Sequence, residues 1–283
     1  MKIYIVIPAH NEEAFLPQTL ESLAGQTLLP KRVMVVNDAS TDQTLDLANS
    51  FSKKHTWTTV ISTQSDPAHR PGAKVIRAFN EGLRQLDDDY DILMKLDADM
   101  LLPENYLETI VRHFKSNPKI GMAAGFACIE KNGQWVVENL TGADHIRGAL
   151  KAYRKECFSS IGGLREAMGW DTLDEILARY SGWEIKTDSS LLAKHLKPTG
   201  ERYQAKSGNL QGKVFYALRY GLLLTKIAAL KLAWRKKSMA YFFNAIRGYF
   251  DAWVKNQPRL LTKDQGKFLR KYRRETIYRK IFK

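Results

Sequence analysis

Four short apolar runs rich in β-branched residues punctuate the first hundred residues, and each is followed by a segment with helical spacing. That alternation narrows the fold more than any other feature of the chain. The runs are "KIYIVI" (2–7), "RVMVV" (32–36), "WTTVIS" (57–62) and "DILMKL" (91–96). After the first, Asn11 is a candidate helix cap with Glu12 and Glu13 in the opening turn, and Leu16, Leu20 and Leu23 follow at helical intervals. A second helix runs to about residue 52, a third from near Gly72 to Leu86, and Pro103 opens a fourth. The pattern β-α-β-α-β-α-β-α predicts an α/β fold with a mostly parallel central sheet and helices on both faces. Ligands of such sheets sit beyond the carboxyl ends of the strands. Three polar clusters fall there: "PAHNEE", "NDASTD" and "DAD".

Asp97 and Asp99 in the last cluster would repel each other unless solvent or a cation lies between them. No G-x-G-x-x-G follows the first strand and no G-x-x-x-x-G-K-[ST] occurs, which argues against a dehydrogenase or a P-loop ATPase. Cys128 and Cys157 are too few for a disulfide scaffold. The first apolar run is short and followed at once by acids, so it reads as a buried strand rather than a signal peptide, and a cytoplasmic protein is expected. Beyond residue 118, "IGMAAGFACIE" and "QWVVEN" flank Asn132-Gly133, a hairpin turn by composition. "WDTLDEILARY" (170–180) reads as a helix with Asp171 at its N-cap and Asp174 at the capping-box position.

Six segments in order give the chain a wider likeness: "VIPAHNEEAFLPQTLESLAGQT", "VVNDASTDQT", "RPGAKVIRAFNEGL", "KLDADM", "YRKECFSSIGGL" and "WDTLDEILAR". Together they resemble the family 2 glycosyltransferases of GT-A fold, over roughly residues 1–200. The resemblance implies an inverting transferase that uses a UDP- or GDP-linked sugar with Mn2+ or Mg2+. It makes Asp99 the metal ligand, with Asp97 on the donor's ribose or sugar and sharing the metal. Asp38 would contact the base, and Pro8, Ala9, Asn11 and Glu12 would form the opposite wall of the nucleotide pocket. Arg70 and Lys74, on either side of Gly72, would approach the diphosphate. Asp171 would be the general base, since an attacking hydroxyl must lose its proton to a carboxylate. The family commonly has Glu-Asp there; this chain has Trp170-Asp171, with Asp174 and Glu175 in reserve. His195, in "AKHLKPTG", is a further candidate metal ligand. Each residue also has a plainer reading, as a helix cap, a loop brace or surface charge.

Charge divides the chain. Residues 1–200 hold 23 Lys and Arg against 26 Asp and Glu, whereas residues 201–283 hold 21 against 4. We therefore expect a catalytic domain over 1–205 and a basic amphipathic helical extension over 206–283. "QGKVFYALRYGLLLTKIAALKLAW" (211–234) carries too many Lys and Arg to span a bilayer and reads as an interfacial helix. Aromatic-rich 239–254 and the Lys/Arg-rich tail 267–283 suit an anionic membrane surface. The expected partners are the nucleotide-sugar donor, a glycan or lipid-linked acceptor, and the inner face of the cell membrane; no zinc spacing or RNP-like strand supports nucleic acid. The competing readings are a non-catalytic nucleotide-sugar-binding or scaffold protein anchored by its basic tail, and a nucleic-acid-binding protein.

Overall fold

The computed structural model describes residues 1–64, 72–138, 145–197 and 207–281. The chain forms two compact units, Met1–Pro198 and Thr199–Lys283. In the first, β1 (Ile3–Ala9) is buried along its whole length, as a strand covered on both faces must be. Helix α1 (Leu16–Ala24), β2 (Arg32–Asp38), α2 (Thr44–Lys54), β3 (Thr58–Thr63), α3 (Ala73–Arg84) and β4 (Ile92–Leu96) continue the expected alternation. β1 pairs in parallel with both β2 and β4, and β2 with β3. Gly82 lets α3 lie close on this sheet, because a Cβ there would come 2.5 Å from Val36 and 2.8 Å from Val6.

The second half of the sheet departs from the parallel pattern. After β5 (Met100–Leu101) and α4 (Tyr106–Ser116) come β6 (Ile120–Lys131), β7 (Gln134–Val137), β8 (Leu150–Arg154), α5 (Lys155–Ser160), α6 (Trp170–Tyr180) and β9 (Glu184–His195). Strand order is β3-β2-β1-β4-β8-β6-β9-β5, with β7 paired to β6. β8 runs antiparallel to both β4 and β6, β5 runs antiparallel to β9, and β9 is parallel to β6. Asn132 (φ 52°) and Gly133 (φ 76°) make the two-residue turn between β6 and β7, where left-handed backbone matches the strand twist.

Three local expectations are corrected. Asn11 does not cap α1: the cap position is Phe15, and Asn11 (φ 54°) instead joins two loops. Asp171 does not cap α6, because Gly169 (φ 81°) stands at the cap and Asp171 lies inside the first turn. Asp174 forms no capping box either; its carboxylate is buried against Lys151.

The second unit is helical: α7 (Ser207–Ala217), α8 (Gly221–Arg235), α9 (Met239–Val254) and α10 (Lys263–Ile281). The expected single helix over 211–234 is broken where Arg219 (φ 56°) and Gly221 (φ 74°) turn the backbone left-handed. Helices α7 and α9 touch backbone to backbone: a Cβ on Gly212 would collide with the Ala245 carbonyl, and one on Gly248 with that of Asn209.

Candidate active site

The carboxyl ends of β1 and β2 carry loops tied to each other by side chains. Asn11 Oδ1 accepts from the Thr41 N–H at 2.8 Å, and its own N–H donates to Ser40 Oγ at 3.1 Å. The Glu12 N–H donates to Thr44 Oγ1 at 2.7 Å. Asp42 accepts from the N–H groups of Glu13 and Thr44 and so braces the loop. Asp38 ends β2 half-buried, and Thr63 Oγ1 donates to it at 3.3 Å from the end of β3. Pro8 and Ala9 close β1, both buried. Glu12 is paired with Lys197 at 2.7 Å; burial, with the charges of Asp99 and Asp97, raises its carboxyl above the usual range although Lys197 pulls the other way. Lys74 lies half-buried in the first turn of α3, and Arg70 lies outside the described residues.

Asp97 and Asp99 leave β4 in different environments. Asp97 is half-buried; its N–H donates to the Ala149 carbonyl at 3.0 Å and its carboxylate meets the ammonium of Lys95. Asp99 is buried. The β5–β9 register sets Met100 opposite His195, which brings His195 Nε2 to 3.1 Å from Asp99 Oδ2. Thr19 Oγ1 in α1 donates to the Ala98 carbonyl at 2.8 Å, fixing the turn between the two acids. The opening repulsion therefore resolves in part within the chain, since each aspartate has its own cationic or imidazole neighbour.

Among the described residues no three His, Cys, Asp or Glu side chains converge as a ready-made metal site. Asp99 and His195 nevertheless leave two buried atoms, Asp99 Oδ1 and His195 Nδ1, without a hydrogen-bond partner among those residues. An orphaned carboxylate oxygen in a polar pair fits a hard divalent cation.

Asp171 sits beside a buried cluster that sequence reasoning missed. Lys151, on β8, is fully buried and places Nζ 2.8 Å from Asp174 Oδ1, 3.4 Å from Glu175 Oε1 and 2.5 Å from the Asp171 carbonyl. Tyr153, two residues along the same strand and on the same face, donates to Asp174 Oδ2 at 2.5 Å. His145 bridges the acids, with Nδ1 3.0 Å from Glu175 Oε1 and Nε2 3.7 Å from Asp171 Oδ2. Burial alone would lower the imidazole, but these two carboxylates raise it to about 9. Burial would raise Asp171, yet His145 and Lys151 bring it down to about 2, so this partly exposed carboxylate stays ionised at neutral pH. Burial holds Asp174 up at about 6 against the pull of Lys151.

Trp170 joins this cluster to the strand-end acids. Its ring lies 5.4 Å from Lys95 Nζ and 5.5 Å from Lys151 Nζ, so its electron-rich face receives two ammonium groups. Gly148 leaves the ring room, as a Cβ there would stand 2.8 Å from it. The signal for both lysines was present in the sequence: each interrupts an apolar strand, Lys95 in "LMKLD" and Lys151 in "LKAYR". Nothing local marks His145.

The parallel strand edge with its acidic turn is continued by antiparallel β8, which carries the buried acid–base cluster. The family model described as "Glycosyl transferase family 2" matches residues 4–163, and the chain belongs to that family. Among curated relatives, the poly-beta-1,6-N-acetyl-D-glucosamine synthase of Staphylococcus epidermidis is 28% identical over 194 residues, covering 60% of this chain and 42% of that protein. The dolichyl N-acetyl-alpha-D-glucosaminyl phosphate 3-beta-D-2,3-diacetamido-2,3-dideoxy-beta-D-glucuronosyltransferase of Methanococcus voltae is 31% identical over 130 residues, covering 44% and 38%. The chain thus spans less than half the length of the curated relatives it matches. Among solved structures, the mannosyltransferase PcManGT of Pyrobaculum calidifontis, in complex with GDP-Man and Mn2+, has a TM-score of 0.59 at 16% identity, covering 98% of this chain and 81% of that one. S. aureus TarS 1-349 in complex with UDP-GlcNAc has a TM-score of 0.58 at 18% identity, covering 82% and 67%. These likenesses carry the GT-A fold.

Proposed function

We propose that the protein moves one sugar, with inversion, from a UDP- or GDP-linked donor to an acceptor hydroxyl or lipid phosphate in cell-surface glycan or glycolipid assembly, working at the cytoplasmic face of a membrane. The observation that carries the reading is the buried Asp99–His195 pair, with its unpartnered oxygen and nitrogen, at the edge where Asp38 also ends its strand. The nucleotide and Mn2+ in the complexes of the mannosyltransferase and the nucleotide sugar in that of TarS support the donor class.

In this reading Asp38 accepts an N–H of the base, and Pro8, Ala9, Asn11 and Glu12 wall the pocket opposite it. Arg70 and Lys74 face the diphosphate, and Asp97, held by Lys95, meets the ribose or sugar. Asp99 with His195, and Asp97 as a further ligand, would hold Mn2+ or Mg2+, which supplies positive charge to the departing diphosphate. Asp171 takes the proton of an acceptor hydroxyl as its oxygen bonds to the anomeric carbon; the bond from that carbon to the diphosphate oxygen breaks on the opposite face. A lipid phosphate is already ionised and needs no such base. His145 keeps Asp171 charged and oriented.

The test is release of nucleoside diphosphate from a panel of UDP- and GDP-sugars. We expect slow Mn2+-dependent hydrolysis that EDTA abolishes and that Asp99→Asn lowers by about a hundredfold, in the range seen when one charge-stabilising group is removed. Absence of turnover and of any thermal shift with every donor, with and without Mn2+, would overturn it.

A further inference from the structure

Helix α8 is built inside out for a helix that meets water. Its covered side carries Leu224 beside the smaller Thr225, Ala229 and Ala233. Its open side is large and apolar, with Leu223, Ile227, Leu230 and Trp234 exposed by 68%, 42%, 52% and 80% at intervals that keep them on one face. Helix α9 buries Tyr241, Ala245, Gly248, Tyr249 and Ala252, and it too leaves large apolar side chains exposed, Phe243, Trp253 and Val254. Exposed lysines accompany the row: Lys226 and Lys231 within α8, and Lys236 and Lys237 in the turn between the helices.

We propose that the α8–α9 hairpin lies in the surface of an anionic lipid bilayer, its apolar row among the upper acyl chains and its lysines at the headgroups. Charge selects this occupant. Residues 201–283 hold 21 Lys and Arg against 4 Asp and Glu, so a second copy would bring the same sign to the contact, whereas anionic headgroups bring the opposite one. Length excludes a crossing: α8 has 15 residues, about 22 Å of helix against a core of about 30 Å, and no helix among the described residues is long and apolar enough to cross a membrane. Trp234 and Trp253, at the C-terminal ends of their helices, have the amphipathic rings that settle at the boundary. The inference deepens the membrane location proposed above and is independent of the transfer chemistry.

The experiment is flotation of the full chain with phosphatidylcholine vesicles and with vesicles that also contain phosphatidylglycerol, alongside donor hydrolysis by the same samples. The native chain is expected to float with the anionic vesicles only. Leu230→Ser/Trp234→Ser/Phe243→Ser should lower binding by about tenfold or more, with hydrolysis and unfolding curves unchanged. Trp234→Phe should remove a measurable part of tryptophan quenching by brominated lipid. Equal flotation of the triple variant, equal binding to neutral vesicles, or a native dimer that the triple variant converts to monomer would each overturn the proposal. Loss of hydrolysis alone would count against the catalytic reading and leave this one standing.

Discussion

In Met1–Pro198 charged groups go inside: Lys95, Asp99, Glu138, Lys151, Asp174, Glu175 and His195 are all buried. In Thr199–Lys283 no charged residue is buried among the described residues, while large apolar side chains stand in the open along α8 and α9. Burying charge costs several kcal/mol per ion unless partners surround it, so the first unit spends stability on a fixed electrostatic arrangement. Exposing carbon costs solubility and is retained where another surface covers it. The difference separates a unit that buries charge from one that leaves large apolar side chains exposed.

The contrast yields graded predictions. Lys151→Met leaves Asp174 and Glu175 without their buried cation and should cost about 3–5 kcal/mol in denaturant unfolding of the first unit. Lys226→Met, on an exposed face, should stay within about 0.5 kcal/mol. Equal losses would erase the distinction between the units. Next in size, Gly212→Ala should destabilise the second unit by about 1–3 kcal/mol, because the new methyl meets the Ala245 carbonyl.

A pH series sharpens the role of His145. Its pKa is raised from 6.5 to about 9, so the stability it gives is complete below pH 6.5 and is lost as pH rises through about 9. Asp171 is lowered from 3.8 to about 2, so its share is complete above pH 3.8 and is lost as pH falls through about 2. The difference in unfolding free energy between the native chain and His145→Gln should therefore be flat from about pH 4.5 to about pH 6.5 and shrink through about pH 9. A difference that grows with pH would remove His145 as the partner of these acids. The smallest effect belongs to Leu223→Ser, which should change stability by less than about 0.5 kcal/mol because the side chain is already exposed.

The alternation of strands and helices, the Asn132-Gly133 turn and the place of the polar clusters at the carboxyl ends of the strands were legible because each rests on local periodicity or turn chemistry. The antiparallel half was not, since nothing local says that β8 inserts between β4 and β6. Caps were misread for a related reason: Asn11 and Asp171 have capping chemistry, but Asn11 is drawn to Thr41 across a loop, and α6 starts at a glycine in left-handed backbone. Asp99 and His195 were both candidate metal ligands by family resemblance alone, and the β5–β9 register that joins them is a tertiary fact. His145 stayed hidden because its meaning depends on α6 folding over β8. Lys95 and Lys151 were passed over, although each is a misfit in an apolar strand and a buried charge needs a partner.

If Asp171 is the base and the β4 edge seats the donor, the two sites have separable losses. The direct measurement is calorimetric titration of nucleoside diphosphate with Mn2+ beside sugar transfer to an acceptor hydroxyl, for Asp171→Asn and Asp99→Asn. Asp171→Asn should bind as the native chain does and lose transfer by about a hundredfold or more, whereas Asp99→Asn should lose binding itself. Undiminished transfer by Asp171→Asn, or native Mn2+-dependent binding by Asp99→Asn, would contradict this assignment.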